Sequence, residues 1–307
     1  MNNNLRIYGS VIFSMIFWAF SFIWFKLANK TFGPITIVFF RLVISVVLLS
    51  SYLYIKKKFI RIKREDFRFF LMLAVFEPFF YFLGESFGLT YVSATVGSVL
   101  ISTIPVVAAI SAWIIFRERL RIINYIGIVL SFVGVLIFII NWDGTITYNA
   151  KGISLLMLAV ISAAGYNLTL SRLVGSYSPV FIVNFQNCLG SVLFLPLFMG
   201  FELKHLTAAS FSVSSLMPVI ALAIFASCFA FILFAYSVRH MGVTRANVFT
   251  NFIPVFTAVF SFIILGDKLT FQNIAGMVIV ISGLLMSQIN GRKKKYDEAL
   301  VLTGKTA

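Results

Sequence analysis

Apolar residues run along this chain in blocks of about 20, separated by short breaks of charged and polar residues. Ten blocks can be drawn, at 8–27, 35–55, 67–87, 93–116, 122–140, 153–173, 180–199, 216–237, 243–265 and 271–289. Within each block Leu, Ile, Val and Phe follow one another with few polar interruptions. A helix rising 1.5 Å per residue needs about that length to cross a hydrocarbon core about 30 Å thick. Membrane β-strands are about half as long and alternate polar with apolar residues, which these blocks do not. The pattern therefore predicts an all-α integral membrane protein of ten transmembrane helices. The third and fourth blocks are parted by a short, weakly polar turn at 88–92. Arg239, His240, Met241 and Gly242 part the eighth from the ninth. The run from Tyr8 to Phe25 is too long for a cleavable leader and lacks a small-residue cleavage site, so it reads as the first span.

The blocks also repeat. Shifted by 149 residues, 94–136 aligns without a gap on 243–285, and 14 of the 43 pairs are identical. The identities include Thr95/Thr244, Pro105/Pro254, Leu120/Leu269, Asn124/Asn273, Gly127/Gly276 and Gly134/Gly283. Shared hydrophobicity would match Leu with Val by chance, but not Pro and several Gly in register. Upstream the match weakens, although Pro34 and Pro179 open the second and seventh blocks alike. Five is an odd number of spans, so the second copy enters the membrane upside down relative to the first. The expectation is two inverted five-helix repeats, at 1–141 and 142–291, followed by a disordered cytoplasmic tail at 292–307. Inverted repeats related by a two-fold axis in the membrane plane are a recurrent transporter architecture, because exchanging the conformations of the halves turns an inward-open shape outward-open.

Composition sharpens this picture. Of 307 residues 60% are hydrophobic and 11% charged, against roughly 25% charged in soluble domains. The net charge of +15 raises the question of nucleic acid, but the positive residues sit in the breaks between spans, where they report topology. With the N-terminus inside, the inner breaks hold 18 Lys and Arg, and the outer ones hold only Lys26, Lys30, Lys151, Lys204 and Lys268. Both termini are therefore expected in the cytoplasm, in a plasma (inner) membrane, with the Lys56–Arg68 run meeting anionic headgroups. Cys188 and Cys228 lie inside blocks and read as small buried hydrophobes.

The doubled pattern carries a resemblance. Thr103-Ile104-Pro105 and Phe252-Ile253-Pro254 are followed by Arg117-Glu118-Arg119-Leu120 and Gly266-Asp267-Lys268-Leu269, then by Gly-containing spans. Over residues 8–289 this resembles the EamA-like branch of the drug/metabolite transporter superfamily. The first copy departs from the pattern in having Arg117 where the second has Gly266. The resemblance implies ten spans, cytoplasmic termini and a central cavity lined mainly by spans one, three, four, six, eight and nine. It also implies export or exchange of small metabolites, often amino acids.

Three ionisable residues fall within the blocks, Arg41, Glu77 and Glu85. Such groups cost roughly 2.5–3.5 kcal/mol or more at the bilayer centre and so face a cavity or a partner. Glu77 lies about 15 Å into its span, near the midplane, and Arg41 about 9 Å from the outer end of its own. Glu85 is shallower, and on a regular helix it would sit about 80° round from Glu77. In the second copy these positions hold Ala226, Phe234 and Gln186, so the architecture does not demand the charges. Glu77 is a candidate for proton coupling or substrate recognition, against a structural ion pair with Arg41. Asn167, Gln186, Asn187, Asn247 and Asn251 are candidates for cavity lining, with Ser98 and Ser102 at the positions matching Asn247 and Asn251. Interhelical hydrogen bonding is the competing reading for all of these. Trp18, Trp24 and Tyr81 are candidate aromatic lining, and Trp142 and Tyr148 fit an interfacial belt. Glu118 and Asp267 are placed to favour the helix N-termini that follow them. The repeated glycines read as close helix contacts.

No GxxxxGK[ST] motif is present, so the energy for transport would come from gradients. There is no HExxH and no acidic pair at metal-binding spacing, and His205 and His240 fall in expected loops, so no enzyme, metal or cofactor is expected. The partners expected are a small-molecule substrate, the lipid bilayer and, as a candidate coupling ion, protons. Amino acids or related zwitterions lead the substrate classes. A multidrug or cationic-compound exporter and a passive facilitator or channel are the alternatives.

Overall fold

The computed structural model describes residues 3–107, 122–139, 149–207, 210–267 and 270–287. Glu118, Trp142, Tyr148 and the 292–307 tail lie outside the described residues. Among the described residues there is no strand. Seven helices are long and apolar enough to cross a membrane: α1 Asn4–Ala28, α2 Pro34–Ile55, α3 Arg64–Tyr91, α6 Ala150–Leu173, α7 Pro179–His205, α8 Val213–Met241 and α9 Arg245–Leu265. Three shorter apolar helices complete the order, α4 Ala94–Val107, α5 Ile122–Ile137 and α10 Phe271–Ser287.

The helix starts follow from the residues that stand there. Pro34 and Pro179 occupy the first turns of α2 and α7, where no backbone N–H is needed. Ser93, Asn149, Ser178 and Ser212 each accept a hydrogen bond from a first-turn backbone N–H. At α2 the cap comes from 167 residues away. Glu202, at the far end of α7, accepts from Ile35 N (3.2 Å) and Thr36 N (2.7 Å), and its carboxylate fills the space beside Gly33 where a Cβ would stand. Lys26 ties the same end of the molecule together by donating to the Leu89 carbonyl at the close of α3, 2.5 Å away. At the opposite, basic end, the Tyr177 hydroxyl accepts from Lys63 N (3.1 Å) and donates to Asp66 (2.7 Å).

Packing pairs α5 with α10, α2 with α7 and α4 with α9, while α3 lies on α6 and α8 on α1. The α5–α10 contact is the closest. A Cβ on Gly134 would stand 2.6 Å from Val280 N and 2.9 Å from Gly276 O, and one on Gly127 would meet Gly283 O at 2.6 Å. The two helices run antiparallel and cap each other. Asn124, in the first turn of α5, donates to Ser287 O at the end of α10 (2.9 Å), and Gln272, in the first turn of α10, donates to Ile137 O at the end of α5 (2.6 Å). Large apolar side chains cover the outside of the bundle, among them Val129, Val192, Met217 and Ile263. An apolar surface of this extent calls for lipid rather than water around it.

Wide π-type turns lie near the ends of α7, at Phe198–Glu202, and α9, at Ser261–Leu265, and four helices lose regularity midway. The chain widens into π-type turns at Val75–Phe80 in α3 and Leu222–Ala230 in α8. Helix α4 breaks at Ser102 and Thr103, and α9 tightens at Phe249–Phe252. Under the 149-residue shift these sites coincide in pairs, so the irregularities belong to the repeat and not to one copy.

Candidate functional site

The breaks surround one buried cavity. It is lined by Trp18, Ser21 and Phe22 of α1, Arg41 of α2, Glu77, Tyr81, Phe82 and Glu85 of α3, and Ile101 and Ile104 of α4. Ala163, Tyr166 and Asn167 of α6, Phe231 and Phe234 of α8, and Asn247, Thr250 and Ile253 of α9 complete it. Atom-free space amounts to about 560 Å³, open edges included, but only about 50 Å³ admits the centre of a water molecule. That is room for a few waters, so anything larger must spread the walls.

Glu77 is where α3 departs from helical geometry, with φ −147° and ψ 119°, followed by a cis peptide to Pro78. Pro78 offers no N–H to the helix, and its ring packs where a Cβ on Gly190 of α7 would otherwise stand. The 80° offset of a regular helix therefore does not describe Glu77 and Glu85. The extended residue sets its own side-chain direction, and both carboxylates still reach the cavity. Glu77 is 5% exposed and Glu85 6%. Glu85 accepts a hydrogen bond from the Tyr81 hydroxyl at 3.0 Å. Glu77 has no hydrogen-bond or ion-pair partner among the described residues.

Arg41 is 2% exposed. The expected direct ion pair to a carboxylate is not formed among the described residues. Nε instead donates to Ser227 Oγ (2.8 Å), and the guanidinium lies over the Phe82 ring, 4.2 Å from its centroid. Only Nε is engaged, which leaves the two terminal nitrogens without a hydrogen-bond partner among the described residues. Behind Arg41, Asn187 donates to Ser45 Oγ (2.7 Å) and to the Ser227 carbonyl (3.2 Å), and Ser45 meets Cys228 Sγ at 3.0 Å. This network fixes Ser227, and through it the arginine.

The cavity thus gathers Trp18, Arg41, Glu77, Tyr81, Glu85, Asn167 and Asn247 from the sequence-derived candidates. Six others lie outside the lining. Ser98 and Ser102 bond to carbonyls of their own helix, at Thr95 O (2.8 Å) and Val99 O (2.7 Å). Asn187 serves the network described above. Gln186 and Asn251 are buried, and Asn251 has no hydrogen-bond partner among the described residues. Trp24 stacks on Phe20, 5.2 Å between centroids, away from the cavity. Cys188 is exposed on the bundle exterior, not buried, while Cys228 is buried as expected. His205 and His240 end helices rather than sitting in loops, and His240 Nδ1 approaches Tyr236 O at 2.8 Å. Asp267 accepts from Ser261 at the close of α9.

Phe82, Tyr166, Phe231, Phe234 and Thr250 went unnoticed as lining residues, although the repeat held the signal. Under the 149-residue shift Phe82 matches Phe231, Glu85 matches Phe234, Ile101 matches Thr250 and Ile104 matches Ile253. Under the 145-residue register of Pro34 and Pro179, Trp18 matches Ala163, Ser21 matches Tyr166 and Phe22 matches Asn167. Every one of these residues lines the cavity. The walls are two-fold in position, and Arg41, Glu77, Tyr81 and Asn247 are the lining residues whose partners do not line it.

The EamA-like transporter family profile matches residues 5–140 and 150–288. The chain belongs to the EamA-like transporter family. An uncharacterized transporter of Archaeoglobus fulgidus is 28% identical over 271 residues, covering 88% of this chain and 94% of the relative. The uncharacterized transporter YetK of Bacillus subtilis is 28% identical over 265 residues, covering 84% and 78%. A solved protein crystal structure at 12% identity superposes with a TM-score of 0.62 over 90% of this chain and 98% of its own, a likeness of fold alone. This EamA-like protein is a multi-pass membrane transporter.

Proposed function

We propose that this EamA-like protein is a secondary transporter that exports or exchanges small zwitterionic metabolites, amino acids foremost, by alternating access. The ten helices then all span the plasma membrane, as inverted five-helix repeats at 1–141 and 142–291 with both termini cytoplasmic. The pairing supports that symmetry: exchanging α1–α5 for α6–α10 turns the α3–α6 contact into α8–α1 and leaves α2–α7, α4–α9 and α5–α10 unchanged. The two stretches matched by the family profile fall on the same halves.

One observation carries the substrate reading. The cavity walls are two-fold in position, but the charges come from one half only, and two of them face the cavity uncommitted. Glu85 is engaged by Tyr81, whereas the Glu77 carboxylate and the terminal nitrogens of Arg41 have no hydrogen-bond partner among the described residues. A zwitterion supplies the ammonium and carboxylate that would satisfy both, and burial makes each charge-assisted hydrogen bond stronger than it is in water. The ring wall of Trp18, Phe231 and Phe234, with centroids 5.0–5.2 Å apart across Trp18, leaves an apolar face for the rest of the molecule. A purely cationic cargo would leave Arg41 buried and unanswered, which disfavours the multidrug alternative. Glu77, with no fixed counter-ion, is also the group through which a proton gradient would couple to transport.

Binding tests the reading. Purified protein should bind labelled amino acids from a mixed pool. The decarboxylated amine and the deaminated acid of the best binder should each compete at least about tenfold more weakly, one charged contact being lost in each. Equal competition by the amine would contradict the zwitterion assignment and favour a cationic substrate.

A further inference from the structure

Arg68 and Arg172 come together at the basic end of the bundle, away from the cavity. Arg68 belongs to the second turn of α3 and Arg172 to the last turn of α6. Their guanidinium carbons lie 4.9 and 5.3 Å from the centroid of a single ring, Phe69. Two like charges are thereby held within about 10 Å of each other. Between exposed charges at that separation repulsion is weak and screened, so it is the shared alignment of the two groups that is informative; an ion pair with a carboxylate would be the usual partner for either. None is formed here among the described residues. The nearby acids are Glu65, exposed and one turn before Arg68, and Asp66, which is taken up by Tyr177. Both arginines are exposed over the same aromatic face, and among the described residues neither planar N–H fork has a hydrogen-bond partner.

The surface beside them is apolar. Leu71 and Met72 follow Arg68 on α3, each 44% exposed, and Leu168 precedes Arg172 by one turn of α6, also 44% exposed. Above them on α6 stands Ile161. Two forked cations thus stand where an outward-facing hydrocarbon surface meets the basic end, whose sequence break also carries Lys56, Lys57, Lys58, Arg61 and Arg64.

We propose that Arg68 and Arg172, positioned by Phe69, form a binding site for the phosphate of an anionic phospholipid whose acyl chains lie along the exposed faces of α3 and α6. Bidentate guanidinium–phosphate contacts satisfy both forks. The apolar strip distinguishes this occupant from free phosphate, which would use the headgroup contacts and leave the strip unused. The site is independent of the transport reading and stands whatever the cargo is.

The test counts retained lipids by native mass spectrometry on full-length protein exchanged from phosphatidylcholine nanodiscs doped with phosphatidylglycerol. The parent should retain phosphatidylglycerol preferentially, and Arg68→Gln with Arg172→Gln should retain it at least about tenfold less. Lys57→Gln with Lys58→Gln removes the same charge from the same end and should change retention by about twofold or less, as expected for diffuse attraction. An equal loss in both pairs would overturn the site in favour of bulk electrostatics. Should the glutamine pair fail to fold, Arg68→Lys with Arg172→Lys keeps the charge but not the fork; undiminished retention in that variant would also overturn it. Displacement of the lipid by excess inorganic phosphate would assign the site to free phosphate and overturn the lipid.

Discussion

Glu77 and Arg41 are both buried, and each is left one interaction short. A buried charge without a full set of partners costs several kcal/mol unless a ligand or a proton completes it. Glu77→Gln keeps the shape of the side chain and removes the charge, so amino-acid binding should weaken by about tenfold or more. In transport assays the same variant should lose its response to an imposed pH gradient, and parent-like rates with parent-like pH dependence would contradict the role given to Glu77. Asn187→Ala should act differently. It removes two hydrogen bonds worth about 0.6 kcal/mol each on the membrane average, so a thermal melt should fall by a few degrees and binding should weaken only as far as Ser227 releases Arg41. At this scale the sequence was legible for charged residues, because a charge inside an apolar block is conspicuous. It was poorly legible for neutral ones. Ser98 and Ser102 occupy a plausible register but turn back onto their own helix, a choice made by rotamers that spacing does not determine.

Helix regularity was the assumption that failed at Glu77, although the residue reaches the cavity as expected. Pro78 was visible in the chain, but the extended backbone at Glu77 depends on how the broken α3 packs its Pro78 ring against Gly190, which no local pattern encodes. Contacts made by small residues were readable from the repeat itself, since Gly127, Gly134, Gly276 and Gly283 recur in register and meet at the α5–α10 interface. Gly283→Val places new atoms within 2.5 Å of Ser131 N. It should lower stability by about 1–3 kcal/mol or abolish folding, as overpacking does. Gly175→Ala, with open space around its Cβ, should melt with the parent. Matched melts for the two would contradict the close α5–α10 contact. Glu202→Ala strips the cap from α2 and should cost about 1 kcal/mol in the same measurement. That cap lies beyond sequence reasoning, because it joins residues 167 positions apart.

Across the whole molecule, the apolar blocks made an all-helical membrane fold legible, and the inequality of the two sequence halves is what suggests the chemistry proposed here. Lining residues recur at repeat-equivalent positions, while Glu77 and Arg41 have as counterparts Ala226 and Gln186, neither of which lines the cavity. Exchange of conformation between the halves would present the same charged pair to either side of the membrane, and a channel has no need of such exchange. The orientation proposed here predicts that a membrane-impermeant maleimide labels Lys151→Cys from outside intact cells and labels Lys57→Cys only after the membrane is opened. The most direct test of the transport account is counterflow into proteoliposomes, with unlabelled amino acid trapped inside, labelled amino acid outside, and a pH gradient either imposed or absent. The account predicts saturable uptake that is stimulated by the trapped amino acid and altered by the gradient in the parent but not in Glu77→Gln. Uptake that neither saturates nor responds to the trapped amino acid would contradict it and identify a passive pore.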